Sequence, residues 1–130
     1  MFLSNLKLFF LIISIFMSTF KKAFSLEERH TEATKILKKY SDRIPIIVSL
    51  HENSTLVLDK KKFLVPVDLT IGQFKYVIRK RLNILPDKGI FFFCNKKIPA
   101  ASDLMSDLYK NNKDTDLFLY MTISEESVFG

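Results

Sequence analysis

The chain has 130 residues, 48% hydrophobic and 26% charged, which allows one domain plus an extension built on an ordinary apolar core. Its net charge of +6 is unevenly placed: the acid-free first 25 residues hold Lys7, Lys21 and Lys22, and the remainder has 17 bases against 14 acids, a surplus too small to imply nucleic acid. A single cysteine, Cys94, excludes an internal disulfide and a multi-cysteine zinc site, and three glycines leave no Gly-rich phosphate loop.

Residues 8–20 form a mostly apolar run, shorter than the roughly 20 residues a membrane-spanning helix needs. Lys7 precedes the run and Ala23-Phe24-Ser25 follows it, the layout of a secretory signal cleaved after Ser25. A wrongly chosen start codon fits equally, a membrane-surface helix is a further alternative, and residues 1–24 are set outside the expected fold. Ser25 and Glu28 then make a capping box, and Ala33, Ile36, Leu37 and Tyr40 fall on one apolar stripe. The spacing predicts a helix over residues 26–40, with a break near Thr31.

A β-branched run predicts a first strand over residues 44–50, with Pro45 suited to its start, and polar residues 51–54 predict a turn. Residues 62–65 predict a second strand that Pro66 stops; a residue with no N–H to donate places it at a sheet edge. Thr70 and Gln73 form another capping box, with Leu69 and Phe74 as its hydrophobic staple. The helix over residues 71–82 should bury Ile71, Phe74, Val77, Ile78 and Leu82, and Arg79, Lys80 and Arg81 suit its carbonyl end. A turn is expected at 86–89. Residues 90–94 are apolar throughout, predicting a third strand covered on both faces, with a turn at 95–97. Ser102 and Asp103 are expected to cap a short helix carrying Leu104, Met105 and Leu108, and residues 117–123 form the last strand. Residues 124–130 have no core pattern and read as a tail.

A central helix on one face of a four-strand sheet is the economical arrangement. Placing strand three between strands one and four gives an α+β, ubiquitin-like β-grasp with an N-terminal helical extension. Four regions result: a signal-like or targeting segment (1–25), the extension (26–41), the β-grasp core (42–123) and the tail (124–130).

An ordered set of motifs runs through this scaffold: Lys-Lys-Tyr-Ser-Asp-Arg-Ile-Pro at 38–45, Asp-Lys-Lys-Lys-Phe-Leu-Val-Pro at 59–66 and Thr-Ile-Gly-Gln-Phe at 70–74. Ile-Arg-Lys-Arg at 78–81, Ile-Phe-Phe-Phe at 90–93, Phe-Leu-Tyr-Met at 118–121 and Ser-Glu-Glu-Ser-Val-Phe-Gly at 124–130 complete it. From residue 26 onward the chain resembles the autophagy-related protein 8 family of ubiquitin-like modifiers, especially its GABARAP-type members. It departs from them at 15–25, where the family has a short amphipathic helix.

The resemblance implies a modifier rather than an enzyme, handled by ubiquitin-activating-like and conjugating-like enzymes and joined to the amine of phosphatidylethanolamine. The lipid-linked form then marks autophagosomal membranes, or a plastid in some unicellular parasites, and recruits proteins carrying an aromatic-x-x-aliphatic motif. No cofactor, metal or nucleic acid is implied. Gly130, the last residue here, is the expected conjugation point, used without a processing protease; glycine has no side chain to obstruct a narrow active-site channel.

The resemblance assigns Glu32, Ile36, Pro45, Ile47, Lys62, Leu64 and Phe118 to an aromatic pocket, and Phe63, Val65, Pro66, Leu69, Phe74 and Val77 to an aliphatic one. Residues on alternate faces of an edge strand suit such a peptide, whose two anchors, three residues apart, point to opposite sides. Ile47, Phe74 and Val77 read equally as core. Arg43, Lys60 and Arg81 would add charge complementarity to acidic flanks of the peptide; alternatively Lys60, Lys61 and Lys62 only solubilise and protect the edge, and Arg43 and Arg81 are only surface ion-pair partners. Cys94 reads as a small core residue, and His30 and His51 have no metal or triad spacing. A ubiquitin-like adaptor that binds peptides without conjugation is the competing function.

Overall fold

The computed structural model describes residues 20–51, 56, 58, 61–85 and 88–125. The expected conjugation residue Gly130, Lys60, and residues 52–54 and 86–87 of the expected turns lie outside the described residues. A helical turn at 20–23 leads into helix α1 (Leu26–Lys39). Strand β1 (Arg43–Leu50), strand β2 (Lys62–Pro66), helix α2 (Ile71–Leu82), strand β3 (Phe91–Phe93), helix α3 (Met105–Asn112) and strand β4 (Leu119–Ser124) follow.

Local chemistry starts the helices where expected. Ser25 Oγ accepts from the Glu28 amide at 3.1 Å while Glu28 Oε1 accepts from the Ser25 amide at 2.9 Å. These bonds, first to the Ser25 backbone and then to its side chain, hold the Glu28 carboxyl below its ordinary value. Thr70 and Gln73 repeat the arrangement at α2, at 3.1 and 2.9 Å. That helix ends at Asn83 in the left-handed region (φ 54°), a conformation asparagine tolerates. Helix α1 runs without the break expected near Thr31, and its stripe rotates away before Tyr40, which is exposed. Helix α3 begins after Leu104 with no side-chain cap; Ser102 and Asp103 do not cap it, because the Asp103 carboxylate instead accepts from the Ala100 amide at 2.9 Å.

The sheet order is β2-β1-β4-β3. Strand β1 pairs antiparallel with β2 (Pro45↔Leu64, Ile47↔Lys62) and parallel with β4 (Ile46↔Leu119, Val48↔Met121), and β3 pairs antiparallel with β4 (Phe92↔Ile123). The ubiquitin-like class therefore holds, but the expected position of strand three does not. Strand β4, buried at all six residues, takes the place beside β1, and β3 is a three-residue edge. Its phenylalanines are apolar not because the strand is central but because rings such as Phe92, 5.5 Å from Phe74, lie against the core. The turn after it has both central residues at positive φ (Asn95 47°, Lys96 68°), and Cys94 and Lys97 exchange backbone hydrogen bonds of 2.8 and 3.0 Å across it.

Strand alternation divides the core in two. Ile44, Ile46, Val48, Phe63, Val65, Leu119, Met121 and Ile123 meet Ile71, Phe74 and Ile78 of α2 and Met105 of α3. On the opposite face Ile47, Phe118 and Tyr120 meet Ala33 of α1, with Phe20, Ile36 and Leu117 packed around them. Val77 is 47% exposed and is not part of the buried face of α2: residues 71, 74 and 78 define that face, and 77 lies on its flank. Leu82 is only partly buried against the core.

Candidate peptide-docking edge

Among the described residues, strand β2 has a hydrogen-bonded neighbour on one side only, β1. Its alternation sends Lys62, Leu64 and Pro66, all half-buried, to one face and buries Phe63 and Val65 in the α2 cluster. The edge therefore fronts both faces of the sheet at once, and the residues assigned to the two pockets fall accordingly.

On the α1 face, Lys62 Nζ donates to Glu32 Oε1 at 2.5 Å, tying β2 to the helix. Ile47 lies opposite Lys62 in the β1–β2 register, and Pro45 opposite Leu64. Ile47 and Phe118 are 3% and 1% exposed and share a cluster with half-buried Ile36. Ile36, Ile47 and Phe118 thus share one cluster, the Glu32–Lys62 pair ties α1 to β2 beside Ile47, and Pro45 and Leu64 are paired across the two strands.

On the α2 face, Phe63 stands edge-on to Phe74 with ring centroids 5.9 Å apart, and the Arg81 guanidinium carbon lies 5.8 Å from the Phe63 ring. Phe63, Val65 and Phe74 are core residues; Leu69 packs partly buried against them, and Pro66 is half-buried. Val77 alone of this set exposes much of its side chain, and Arg43 is exposed at the start of β1.

Beside Ile47 opens a cleft of about 390 Å³, lined by Phe20, Phe24, Leu50, Leu58 and Lys61 among others. Its walls bring in residues that the sequence leaves outside the fold. Phe20 stands edge-on to Phe118 at 5.4 Å and tilted to Tyr120 at 6.4 Å. Lys62 Nζ lies 5.2 Å from the Phe20 ring centre and 6.0 Å from that of Phe24. Lys21 Nζ bonds Asp114 Oδ1 at 2.6 Å. Burial acts to raise the Asp114 carboxyl, but the bonds from Lys21 and the Asp116 amide outweigh it and hold that carboxyl below its ordinary value.

A buried polar group under α1 also escapes the sequence reading. Arg29 donates through Nη1 to Asp116 Oδ2 at 2.7 Å and through Nε to the Phe24 carbonyl at 3.1 Å, and the Tyr120 hydroxyl donates to the same Asp116 oxygen. Burial works against the Arg29 charge, yet the bond to Asp116 raises its affinity for the proton above the ordinary guanidinium value. The available signal was periodic: Arg29 lies four residues before Ala33 on the same helical stripe. Cys94 is 3% exposed, and burial pushes its thiol up to about 11.

Among the described residues no helix is long and apolar enough to cross a membrane. The family described as "Autophagy protein Atg8 ubiquitin like" matches residues 28–130. The chain is 54% identical to autophagy-related protein 8B of Oryza sativa subsp. japonica over 114 residues, covering 87% of this chain and 96% of that protein. It is 51% identical to autophagy-related protein 8 of Neurospora crassa over 114 residues, 87% of this chain and 94% of that one. Trypanosoma brucei ATG8 superposes with a TM-score of 0.80 at 41% identity, covering 87% of this chain and 98% of that structure. Plasmodium falciparum Atg8, solved in complex with a Plasmodium falciparum Atg3 peptide, superposes at 0.76 and 36% identity, over 84% and 97% of the two chains. With its sheet order, its two-faced edge strand and a match extending over most of its length, the chain belongs to the Atg8 family of ubiquitin-like autophagy proteins.

Proposed function

We infer that this chain is a ubiquitin-like modifier conjugated through Gly130 to phosphatidylethanolamine, and that its lipid-linked form recruits aromatic-x-x-aliphatic peptides to autophagosomal or plastid membranes. The observation that carries the reading is the β2 edge, whose alternating side chains front two separate apolar faces. An added peptide strand would pair with that edge and send its aromatic residue toward Glu32, Ile36, Pro45, Ile47, Lys62, Leu64 and Phe118. Its aliphatic residue would meet Phe63, Val65, Pro66, Leu69, Phe74 and Val77. Arg43, Lys60 and Arg81 favour acidic flanks. The Atg3 peptide bound by the Plasmodium falciparum relative supports peptide docking on this scaffold.

Conjugation rests on family membership and on the chemistry of a glycine carboxyl. An activating-type enzyme adenylates it with ATP and releases pyrophosphate, a partner cysteine displaces AMP to form a thioester, and the lipid amine displaces the thiolate to leave an amide. The modifier supplies the carboxyl and its partners supply the catalytic groups. Mass spectrometry of the membrane fraction should find phosphatidylethanolamine on the peptide ending in Gly130, and Gly130→Ala should eliminate it while peptide binding persists. The adduct at full level after Gly130 is deleted would refute the mechanism; its absence from the wild type with the conjugating enzymes present would favour the adaptor.

A further inference from the structure

The floor of the aromatic subsite is not open. Ile47 and Phe118 are almost fully buried, and part of what buries them is Phe20, a residue of this chain that precedes α1. Its ring presents an edge to Phe118 at 5.4 Å and receives the Lys62 ammonium at 5.2 Å, so it engages both the apolar floor and the charged rim of the subsite. These are the two contacts an incoming aromatic residue needs: a ring partner, and a cation for its face.

Besides the Lys62 contact, Phe20 is held there by bonds outside the docking edge. Lys21 is paired with Asp114, the Phe24 amide donates to the Phe20 carbonyl at 3.2 Å, and the Phe24 carbonyl accepts from Arg29. The Lys21–Asp114 pair is partly exposed, so solvent and salt weaken it. The cleft lined by Phe20, Phe24 and Ile47 leaves space directly beside the ring. Among the described residues, what seats Phe20 and Phe24 is their ring contacts, the half-exposed Lys21–Asp114 pair and the Arg29 bond to the Phe24 carbonyl, none of which is a backbone bond to the sheet.

We propose that Phe20 is the resident occupant of the aromatic subsite, so that the chain's own N-terminal segment competes with the docking peptide and lowers its affinity. The proposal rests on the docking reading above. Apparent affinity is the intrinsic affinity multiplied by the fraction of molecules with the subsite vacated, so whatever displaces Phe20 strengthens binding. Membrane insertion of the preceding apolar residues, or removal of the segment, would act in that direction.

The test uses the full chain and two probes, a synthetic acidic peptide with a Trp-x-x-Leu motif and free indole, titrated by amide and methyl NMR. Phe20→Ala should bind both probes more tightly, by roughly tenfold for the peptide, with indole shifting Ile47 and the neighbours of Phe118. Lys21→Glu, which turns the attraction to Asp114 into repulsion and leaves every subsite residue in place, should shift affinity in the same direction. Phe20→Ala decides if its amide spectrum is that of a folded protein; otherwise Lys21→Glu decides. Unchanged or weaker binding of indole by the deciding variant would overturn the proposal, since Phe20 would then be a wall of the subsite and not its occupant. The docking reading fails separately, if Leu64→Ala, which leaves the Lys62 contact to Phe20 in place, leaves the affinity for the peptide unchanged, and the indole titration still decides the role of Phe20.

Discussion

Arg29 Nη1 donates to Asp116 Oδ2 across 2.7 Å and 87 residues of sequence, joining α1 to the turn that leads into β4. The other Asp116 oxygen accepts from the Phe118 amide at 2.9 Å, so one fully buried carboxylate fixes both the helix and the backbone that places Phe118 under the docking edge. The Tyr120 hydroxyl is the third donor; burial first, and then the bond to Asp116, raise its pKa well above the ordinary phenol value.

Removing one member of that group leaves a charge with no access to water. Arg29→Ala should cost about 3 kcal/mol or more in urea unfolding, because breaking a buried pair leaves its partner uncompensated. Tyr120→Phe should cost nearer 1–2 kcal/mol, since Asp116 keeps two donors. Arg29→Lys should recover only part of the loss, because an ammonium cannot reach Asp116 and the Phe24 carbonyl together as the guanidinium does. Equal stability of Arg29→Ala and the wild type would show that the buried group does not hold α1 to the sheet.

At the docking edge, Lys62→Ala with Leu64→Ala should weaken an aromatic-x-x-aliphatic peptide by roughly 30-fold, corresponding to about 2 kcal/mol for a truncated pocket anchor. Leu64 should account for most of it, since a rim charge chiefly affects the rate of encounter. Both side chains are half-buried and their backbone pairs with β1, so the fold should survive. Calorimetric titration of the folded double variant with unchanged affinity would remove the edge from the binding site.

How far the sequence could be read depended on whether the signal was local. Both capping boxes, the edge position of β2 and the alternation that splits Lys62 and Leu64 from Phe63 and Val65 follow from neighbouring residues. The strand order does not: Ile-Phe-Phe-Phe-Cys is the most apolar run of the core, and composition alone puts it in the middle. The placement of β4 depends on pairing with β1, a long-range parallel contact that no periodicity encodes. Helical spacing after Phe74 puts Val77 on the buried face, although the core meets only the 71–74–78 side. Phe20 and Lys21 were hidden for another reason: an apolar run beside small residues resembles a targeting segment, and nothing in it points to Phe118 or Asp114.

The thiol of Cys94 supplies a pH dependence whose sign can be worked out. In the folded chain its pKa is raised to about 11, against an ordinary value near 8.5. Between those values the native state keeps a proton that the unfolded chain has released. Stability contributed by this group is therefore complete below about pH 8.5 and falls as pH rises toward 11, by up to about 1.4 kcal/mol per pH unit. Cys94→Ala should lack this slope while keeping that of Tyr120, so the difference between the two proteins isolates the thiol. Identical slopes from pH 8 to 11 would mean that Cys94 is ionised as easily folded as unfolded. The same burial predicts that thiol reagents label the native protein only as fast as it opens.

Thr122 sits in the centre of β4, opposite Ser49 of β1 and Phe93 of β3, with no exposed surface. Among the described residues its Oγ1 has no hydrogen-bond partner. A hydroxyl taken out of water without a partner costs about 1–3 kcal/mol, whereas its backbone amide and carbonyl remain available to the sheet whatever the side chain. Valine has nearly the same shape, keeps the β-branch that a strand favours, and replaces the hydroxyl with a methyl group. Thr122→Val should therefore raise unfolding stability by about 1 kcal/mol, seen as a higher urea midpoint at unchanged m-value. Thr122→Ala should not: it removes the unsatisfied oxygen but also a methyl group, and the small cavity offsets the gain. Serine should be the least stable of the three, since it loses packing and keeps the oxygen. A loss of 1 kcal/mol or more in Thr122→Val would show that the hydroxyl is satisfied in solution.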